Sequence, residues 1–192
     1  MLLTMTVPPT LRPLTLDDCK AHLRIGAAQI DDDGLIQAQL DAAIGDCEAL
    51  CHRAIMSQTW QARFDCFECE LPLRRPTVTE VTAVEYIDAT TGTLQTLAST
   101  GWQACGMGHP MLSSVRPAYG LAWPSARAQA EAVRVTFVTG WASAALVPAP
   151  IKQWILLRLA SYYELRQGWT ERRIEPNDFI DGMLAPWRVP VL

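Results

Sequence analysis

The sequence predicts an α+β fold: a small helical bundle carrying an inserted antiparallel β-sheet or sandwich. Three observations carry that reading. Apolar residues recur at helical spacing within residues 15–56 and again over residues 148–168. Between them, over residues 57–140, the period changes to two, and Gly and Pro punctuate short runs. A Pro- and Thr-rich stretch (1–14) precedes the helices, and a tail with an apolar end (169–192) follows them. Helices at both ends of the chain with a β block between them fit helices segregated to one end of an antiparallel sheet.

The opening stretch, Met1 to Pro13, contains three prolines. It is read as an extended arm, mobile or laid across a neighbour. Thr15 then opens a short helix. Thr15 with Asp18 three residues on is an acidic form of the capping box, and Asp17 and Asp18 complement the positive helix N-terminus. Leu14 and Cys19 sit where a hydrophobic staple would. Leu16, Cys19 and Leu23 form the apolar stripe, and Gly26 is the expected C′ residue.

Asp31, Asp32 and Asp33 precede the second helix, as caps and dipole partners. An EF-hand would need alternating ligands and a Glu at the twelfth position, which the run does not supply. The second helix spans about Gly34 to Arg53, with Ile36, Leu40, Ala43, Ile44, Cys47, Cys51 and Ala54 on its buried face. Gly45 is expected to permit close approach of another helix.

Strands are expected at Thr59–Phe64, around Glu70–Leu73, at Val78–Asp88 and at Thr93–Leu97, with Ala89–Gly92 as a hairpin loop. Gly101–Ala104 and Met111–Val115 are weaker strands, and Pro117–Ala130 has no period and reads as loop. Ala132–Thr139 alternates cleanly, with Val133, Val135 and Phe137 on one side, and Gly140 closes it.

Pro150 suits the first position of the long helix that follows, since its missing N–H would have no partner there. The run PIKQWILLRLASYYELRQ would extend roughly 27 Å. Its charges are Lys152, Arg158, Glu164 and Arg166, and apolar residues cover well over half of its circumference. A helix apolar on most sides is buried on most sides. The expected arrangement is one face against its own domain and another against a neighbouring subunit, through Ile151, Trp154, Ile155, Arg158, Leu159, Tyr162 and Tyr163.

The tail ends in Met183, Leu184, Ala185, Pro186, Trp187, Arg188, Val189, Pro190, Val191 and Leu192. Trp187, set between prolines, reads as an aromatic anchor for a partner pocket or groove. The other six tryptophans are mostly expected in the core.

Composition narrows the function classes. Hydrophobic residues make up 49%, enough for a core, and the net charge of −4 argues against gripping nucleic acid through a basic face. A surface that DNA slides past remains compatible. No stretch reaches the ~18 apolar residues of a membrane span, so no membrane partner is expected. The N-terminus lacks a basic region before an apolar core, so it does not read as a secretory signal. Six cysteines then read as reduced thiols.

In order along the chain, PLTLDDCKAHLRI, DDDGLIQAQLDAAIGDCEALCHRAIMSQTW, LPLRRPTVTEVTAVEYIDATTGTLQTL, VRVTFVTGW, VPAPIKQWILLRLASYYELRQ and MLAPWRV resemble the head–tail connector (adaptor) proteins of tailed phages, prophages and gene transfer agents. The resemblance runs from about Pro13 to Val189. It implies a structural head-completion protein that forms a ring, usually of twelve subunits, beneath the portal of the virion. The ring would be assembled in the host cytoplasm. The helices would contact neighbouring subunits, the C-terminal segment would reach the portal, the far side would receive a stopper or tail-completion protein, and DNA would pass through the lumen. No cofactor is implied. The alternative within the same class is a stopper or tail terminator, which the flanking helices disfavour because such proteins are more purely β.

Rival chemistry rests on cysteine and histidine. Cys47-x3-Cys51 with Cys66-x2-Cys69 approximates a zinc-ribbon spacing, and with it a zinc-stabilised DNA-binding module. Cys47 and Cys51, however, fall on the apolar stripe, and DCFECE lacks a glycine knuckle, so core or loop thiols and no metal are expected. Cys51 and His52 are helix neighbours and face apart. His22 and His109 have no nucleophile in a recognised motif beside them, and no catalytic residue is assigned. Arg74 with Arg75 and Arg172 with Arg173 are the basic clusters, expected to be solvated or paired, with a DNA-facing role for Arg172 and Arg173 as the sharper reading.

Overall fold

The computed structural model describes residues 1–109, 112–165 and 182–189. The fold is α+β, with three α-helices and two antiparallel sheets among the described residues. No described helix is long and apolar enough to cross a membrane. The chain divides into two compact units, one of Met1–Thr10 with Met56–Ala142, the other of Leu11–Ile55 with Ser143–Leu192. Both units are therefore discontinuous in sequence.

The first unit is a β-sandwich. Its strands are β1 (Leu2–Val7), β2 (Gln58–Phe64), β3 (Leu71–Pro72), β4 (Val78–Ile87), β5 (Leu94–Thr96), β6 (Trp102–Cys105), β7 (Ser114–Pro117) and β8 (Val133–Thr139). The large sheet has the order β1-β2-β8-β4-β5 and the small one β3-β7-β6. β8 is central, pairing Phe137 with Trp60 on one side and Val81 on the other. Its alternation puts Val133, Val135 and Phe137 inward, where they meet Leu71 and Val115 of the small sheet in one core. Gly140 ends β8 at φ +96°; a Cβ there would lie 2.3 Å from the Met56 carbonyl oxygen. The β4–β5 hairpin is closed by Asp88, whose carboxylate accepts from the Thr90 and Thr91 backbone N–H groups at 2.9 and 2.7 Å.

Residues Leu2–Val7 are not a free arm. They form the edge strand β1, antiparallel to β2 with Leu3 opposite Ala62 and Met5 opposite Trp60. The strand expected around Glu70–Leu73 is the two-residue β3, and Leu73 is buried as well. Of the six tryptophans expected mostly in the core, Trp154 is fully buried, while Trp60, Trp102, Trp123 and Trp141 are half-buried. Trp169 lies outside the described residues.

The second unit is helical, built from α1 (Leu16–Leu23), α2 (Asp33–Cys51) and α3 (Ala149–Glu164). The capping box of α1 is complete: Thr15 Oγ1 accepts from the Asp18 N–H at 3.1 Å, and the Asp18 carboxylate accepts from the Thr15 N–H at 2.9 Å. Leu14 and Cys19 are both buried, as the staple positions require. The helix stops at Leu23, three residues before Gly26. Arg24 takes the left-handed C-cap (φ 59°), and the Ile25 N–H returns to the Lys20 carbonyl at 2.9 Å.

The α1–α2 connection is fixed by a lysine that composition alone places at the surface. Lys20 is buried, and its ammonium donates to the Gln29 carbonyl at 2.8 Å and meets the Asp33 carboxylate at 2.5 Å. A buried ammonium is tolerated because its donors are matched. α2 buries Ile36, Leu40, Ala43, Cys47 and Cys51, with Ile44 half-buried. His52 ends it in the left-handed region (φ 52°). Gly45 is exposed, and a Cβ there would meet nothing within 4 Å, so it seats no helix among the described residues.

Candidate functional site

Position along α3 sorts the seven residues assigned to a subunit interface. Ile151, Trp154, Ile155 and Leu159 recur on one stripe and are 0–2% exposed. They are core residues of their own unit, which corrects their assignment to a neighbour-facing surface. α3 is buried along one stripe and half-covered beside it, not covered on most sides, because its tyrosines and its remaining leucines, Leu156 and Leu157, lie on the flanks. Pro150 occupies the second helical position, after Ala149.

Arg158, Tyr162 and Tyr163 hold the exposed flank of α3 to α2. Arg158 Nε donates to the Asp46 carboxylate at 2.8 Å, and the Tyr162 hydroxyl donates to the same carboxylate. The Arg158 guanidinium also stacks 4.8 Å from the centre of the Tyr162 ring. Burial, then the Asp46 carboxylate accepting from the hydroxyl, holds the Tyr162 phenol above its ordinary value. Tyr163 donates to Asp32 at 2.6 Å, and Gln39 donates to the Tyr162 carbonyl at 3.1 Å. The acidic run is thus spent on tertiary ties, Asp32 to Tyr163 and Asp33 to Lys20. Asp32, the N-cap residue of α2, makes no side-chain cap. Sequence reading missed these partners because each lies more than a hundred residues from its tyrosine or arginine.

The C-terminal segment is anchored as well. Leu184 is completely buried, a short 3₁₀ turn covers Ala185–Trp187, and the Val189 N–H donates to the Cys51 carbonyl at 3.0 Å. That bond satisfies a carbonyl at the end of α2, where intrahelical donors run out. Trp187 is half-buried; its carbonyl accepts from Arg53 at 3.4 Å, and the Arg53 guanidinium lies 5.8 Å from its ring centre. The tail therefore buries Leu184 and half-covers Trp187 within its own unit. Ala185, Pro186 and Arg188 remain exposed, and Met183 and Val189 are half-buried. Pro190, Val191 and Leu192 lie outside the described residues, as do Arg172, Arg173 and the helix positions after Leu165.

The cysteines fall into two environments. Cys19, Cys47 and Cys51 are fully buried in the helical unit. Cys47 donates to Cys51, which together with burial holds its thiol above the ordinary value, and burial pushes Cys19 up to about 11. Cys66 and Cys69 are exposed in the β unit. Among the described residues, no group of three or more His, Cys, Asp or Glu is placed to hold a metal ion. His52 is exposed beside buried Cys51, and His109 Nδ1 accepts from the Leu112 N–H at 3.1 Å in a turn. Arg75 stacks 4.6 Å from the Trp60 ring centre rather than standing free.

Residues 13–89 match the model of the phage gp6-like head–tail connector proteins. The match covers both N-terminal helices and the first strands, and it is a likeness of that part of the chain to the connector proteins. Solved structures extend the likeness to the whole length. A chain in the virion of a native gene transfer agent particle is 25% identical, with a TM-score of 0.79, covering 100% of this chain and 98% of that one. A chain in the neck of the empty particle, computed with C6 symmetry, gives 24% and 0.79 over the same shares. One in the neck of the native particle, computed with C12 symmetry, gives 24% and 0.76, again over 100% and 98%. No curated protein sequence matches the chain. The family match thus falls on the helices and first strands, while the likeness of fold to the gene transfer agent chains runs the full length.

Proposed function

We propose that the chain is the structural subunit of a head–tail connector ring in a phage or phage-like particle. Copies would associate side by side beneath the portal, receive a stopper or tail-completion protein on the far side, and leave a lumen through which DNA passes without sequence-specific contact. The observation that carries this reading is the full-length likeness to a neck protein, joined to the connector family match over residues 13–89. A ring of twelve satisfies both the C12 and the C6 symmetry used for the relatives' necks, and twelve is the proposed stoichiometry. A closed ring joins unlike patches of successive copies, so its interface needs two different exposed surfaces.

The residues offered to neighbours are those the monomer leaves uncovered. On α3 they are Arg158 and the exposed parts of Tyr162 and Tyr163, with Leu146 and Leu165 at its two ends. For the portal they are Pro186, Arg188 and the exposed part of Trp187; Pro190, Val191 and Leu192, which belong to the same proposed tail, lie outside the described residues. No catalytic step is part of this function; the work is done by subunit burial and ring geometry.

The deciding experiment removes the gene from the producing genome and images the particles. DNA-filled heads without tails, rescued by supplying the chain in trans with twelve copies at the neck, are expected. Normal tailed particles would overturn the proposal.

A further inference from the structure

Between β2 and β3 the chain runs Asp65-Cys66-Phe67-Glu68-Cys69-Glu70, and four of these six residues are tied down. The Asp65 carboxylate accepts from the Glu131 N–H at 2.9 Å, where Glu131 holds a positive φ of 56°. The Phe67 ring stacks on Trp123 at 4.7 Å and packs tilted against Tyr86 at 5.6 Å. The Glu68 carbonyl accepts from Trp123 Nε1 at 2.7 Å. The Glu70 carboxylate meets Arg116 at 2.5 Å. Every one of these ties reaches the segment from Arg116 to Glu131 or the neighbouring Tyr86. The two residues left over are the cysteines, and both face solvent.

We infer that Cys66 and Cys69 form a thiol–disulfide exchange site, a surface dithiol that closes to an intramolecular disulfide on reaction with a low-molecular-weight disulfide such as oxidised glutathione. The loop contacts fix the two residues between the cysteines and leave both sulfurs reachable, as attack requires. The buried thiols of the helical unit lack that access. In the first step one cysteine thiolate attacks the glutathione disulfide, forming a mixed disulfide and releasing one glutathione thiolate. In the second, the other cysteine thiolate attacks the protein-side sulfur and releases the second glutathione. Two electrons pass to the glutathione disulfide, which leaves as two thiols carrying the two protons, and one protein S–S bond is formed.

The site has a mechanical consequence. The peptide between the cysteines is the seat of Trp123, and Trp123 belongs to the long connection between β7 and β8 whose Tyr119 is 99% exposed. Closing the ring across Cys66 and Cys69 constrains that seat, so oxidation is expected to slow opening of the connection. The inference rests on the loop contacts and exposure alone and does not depend on the connector reading.

The test incubates the full chain with reduced and oxidised glutathione in defined ratios, quenches with acid, and maps the cysteines by mass spectrometry. Expected is a peptide containing Cys66 and Cys69 that is lighter by two hydrogen atoms, with Cys19, Cys47 and Cys51 unchanged. The Cys66→Ser chain should instead carry one glutathione on Cys69. In the wild-type chain, hydrogen exchange across residues 118–131 should slow on oxidation. Glutathione held on both cysteines without ring closure, or no reaction at either, would overturn the inference.

Discussion

The backbone N–H of Val189 donates to the carbonyl oxygen of Cys51 at 3.0 Å, so the C-terminal segment completes the end of α2. Leu184, five residues earlier, is buried without remainder. Leu184→Ala should therefore cost about 2–5 kcal/mol, as large-to-small core changes do. Urea unfolding followed by circular dichroism measures it. Trp187→Ala removes a half-buried ring and should cost less than Leu184→Ala while weakening portal binding more. Equal loss of both properties in both variants would show that the segment acts only as a structural plug. Truncation after Gly182 removes both functions, and tailless heads are the expected result.

The Thr15–Asp18 capping box sets a dependence on acid. Hydrogen bonds from the Thr15 side chain and backbone hold the Asp18 carboxyl below its ordinary value of 3.8, and the Arg12 guanidinium does the same for Asp41. A carboxyl depressed in the folded state stabilises the fold above its unfolded value, and that contribution is lost as pH falls through the folded one. Stability of the wild type should thus decline below about pH 3.8, and Asp18→Asn should flatten part of that decline. Thr15→Ala should cost about 0.5–2 kcal/mol at neutral pH. Thermal melts across a pH series check both.

Asp46 joins Arg158 and Tyr162 through one carboxylate. Tyr162→Phe removes one hydrogen bond and should cost about 1 kcal/mol. Because the two residues share a contact, the Asp46→Asn and Tyr162→Phe effects should fall short of additive, which a double-mutant cycle in urea measures. Additive losses would mean that the bond adds nothing in solution.

Gly140→Ala forces a Cβ toward the Met56 carbonyl at a φ that side chains rarely adopt. A loss of at least ~1–3 kcal/mol is expected from the backbone conformation alone, before the collision is counted. Gly45→Ala, on an exposed helix turn open to solvent, should instead gain up to ~1 kcal/mol. The two changes of one methyl group in opposite directions form an internal control.

What the chain reveals without its structure is what local periodicity encodes. The alternation through Val133, Val135 and Phe137 identifies β8 and its inward face, and the spacing of Ile36, Leu40, Cys47 and Cys51 identifies the buried face of α2. The capping box is visible because both members lie within one turn. β1 was hidden because prolines dominate its surroundings and its partner is remote: Thr6 bonds to Thr59, 53 residues away. Arg24 took the cap expected of Gly26 because the helix ended one half-turn sooner, and a left-handed residue need not be glycine when the next N–H closes the turn. For the candidate site, composition identified α3 and the tail as the apolar segments but could not divide their residues between internal and external use. That division depends on where α2 ends and on Asp32, Asp46 and Arg53, none of which is near α3 in sequence.

The first strand of the sandwich is separated from the second by the whole of α1 and α2. A ribosome releases β1 long before the strand it pairs with exists, so the N-terminus must wait, unpaired, while two helices emerge. A segment joined directly to β1 rides on a sheet edge. For labelling or purification, handles are better inserted at the exposed tip around Tyr119 than at the start of the chain.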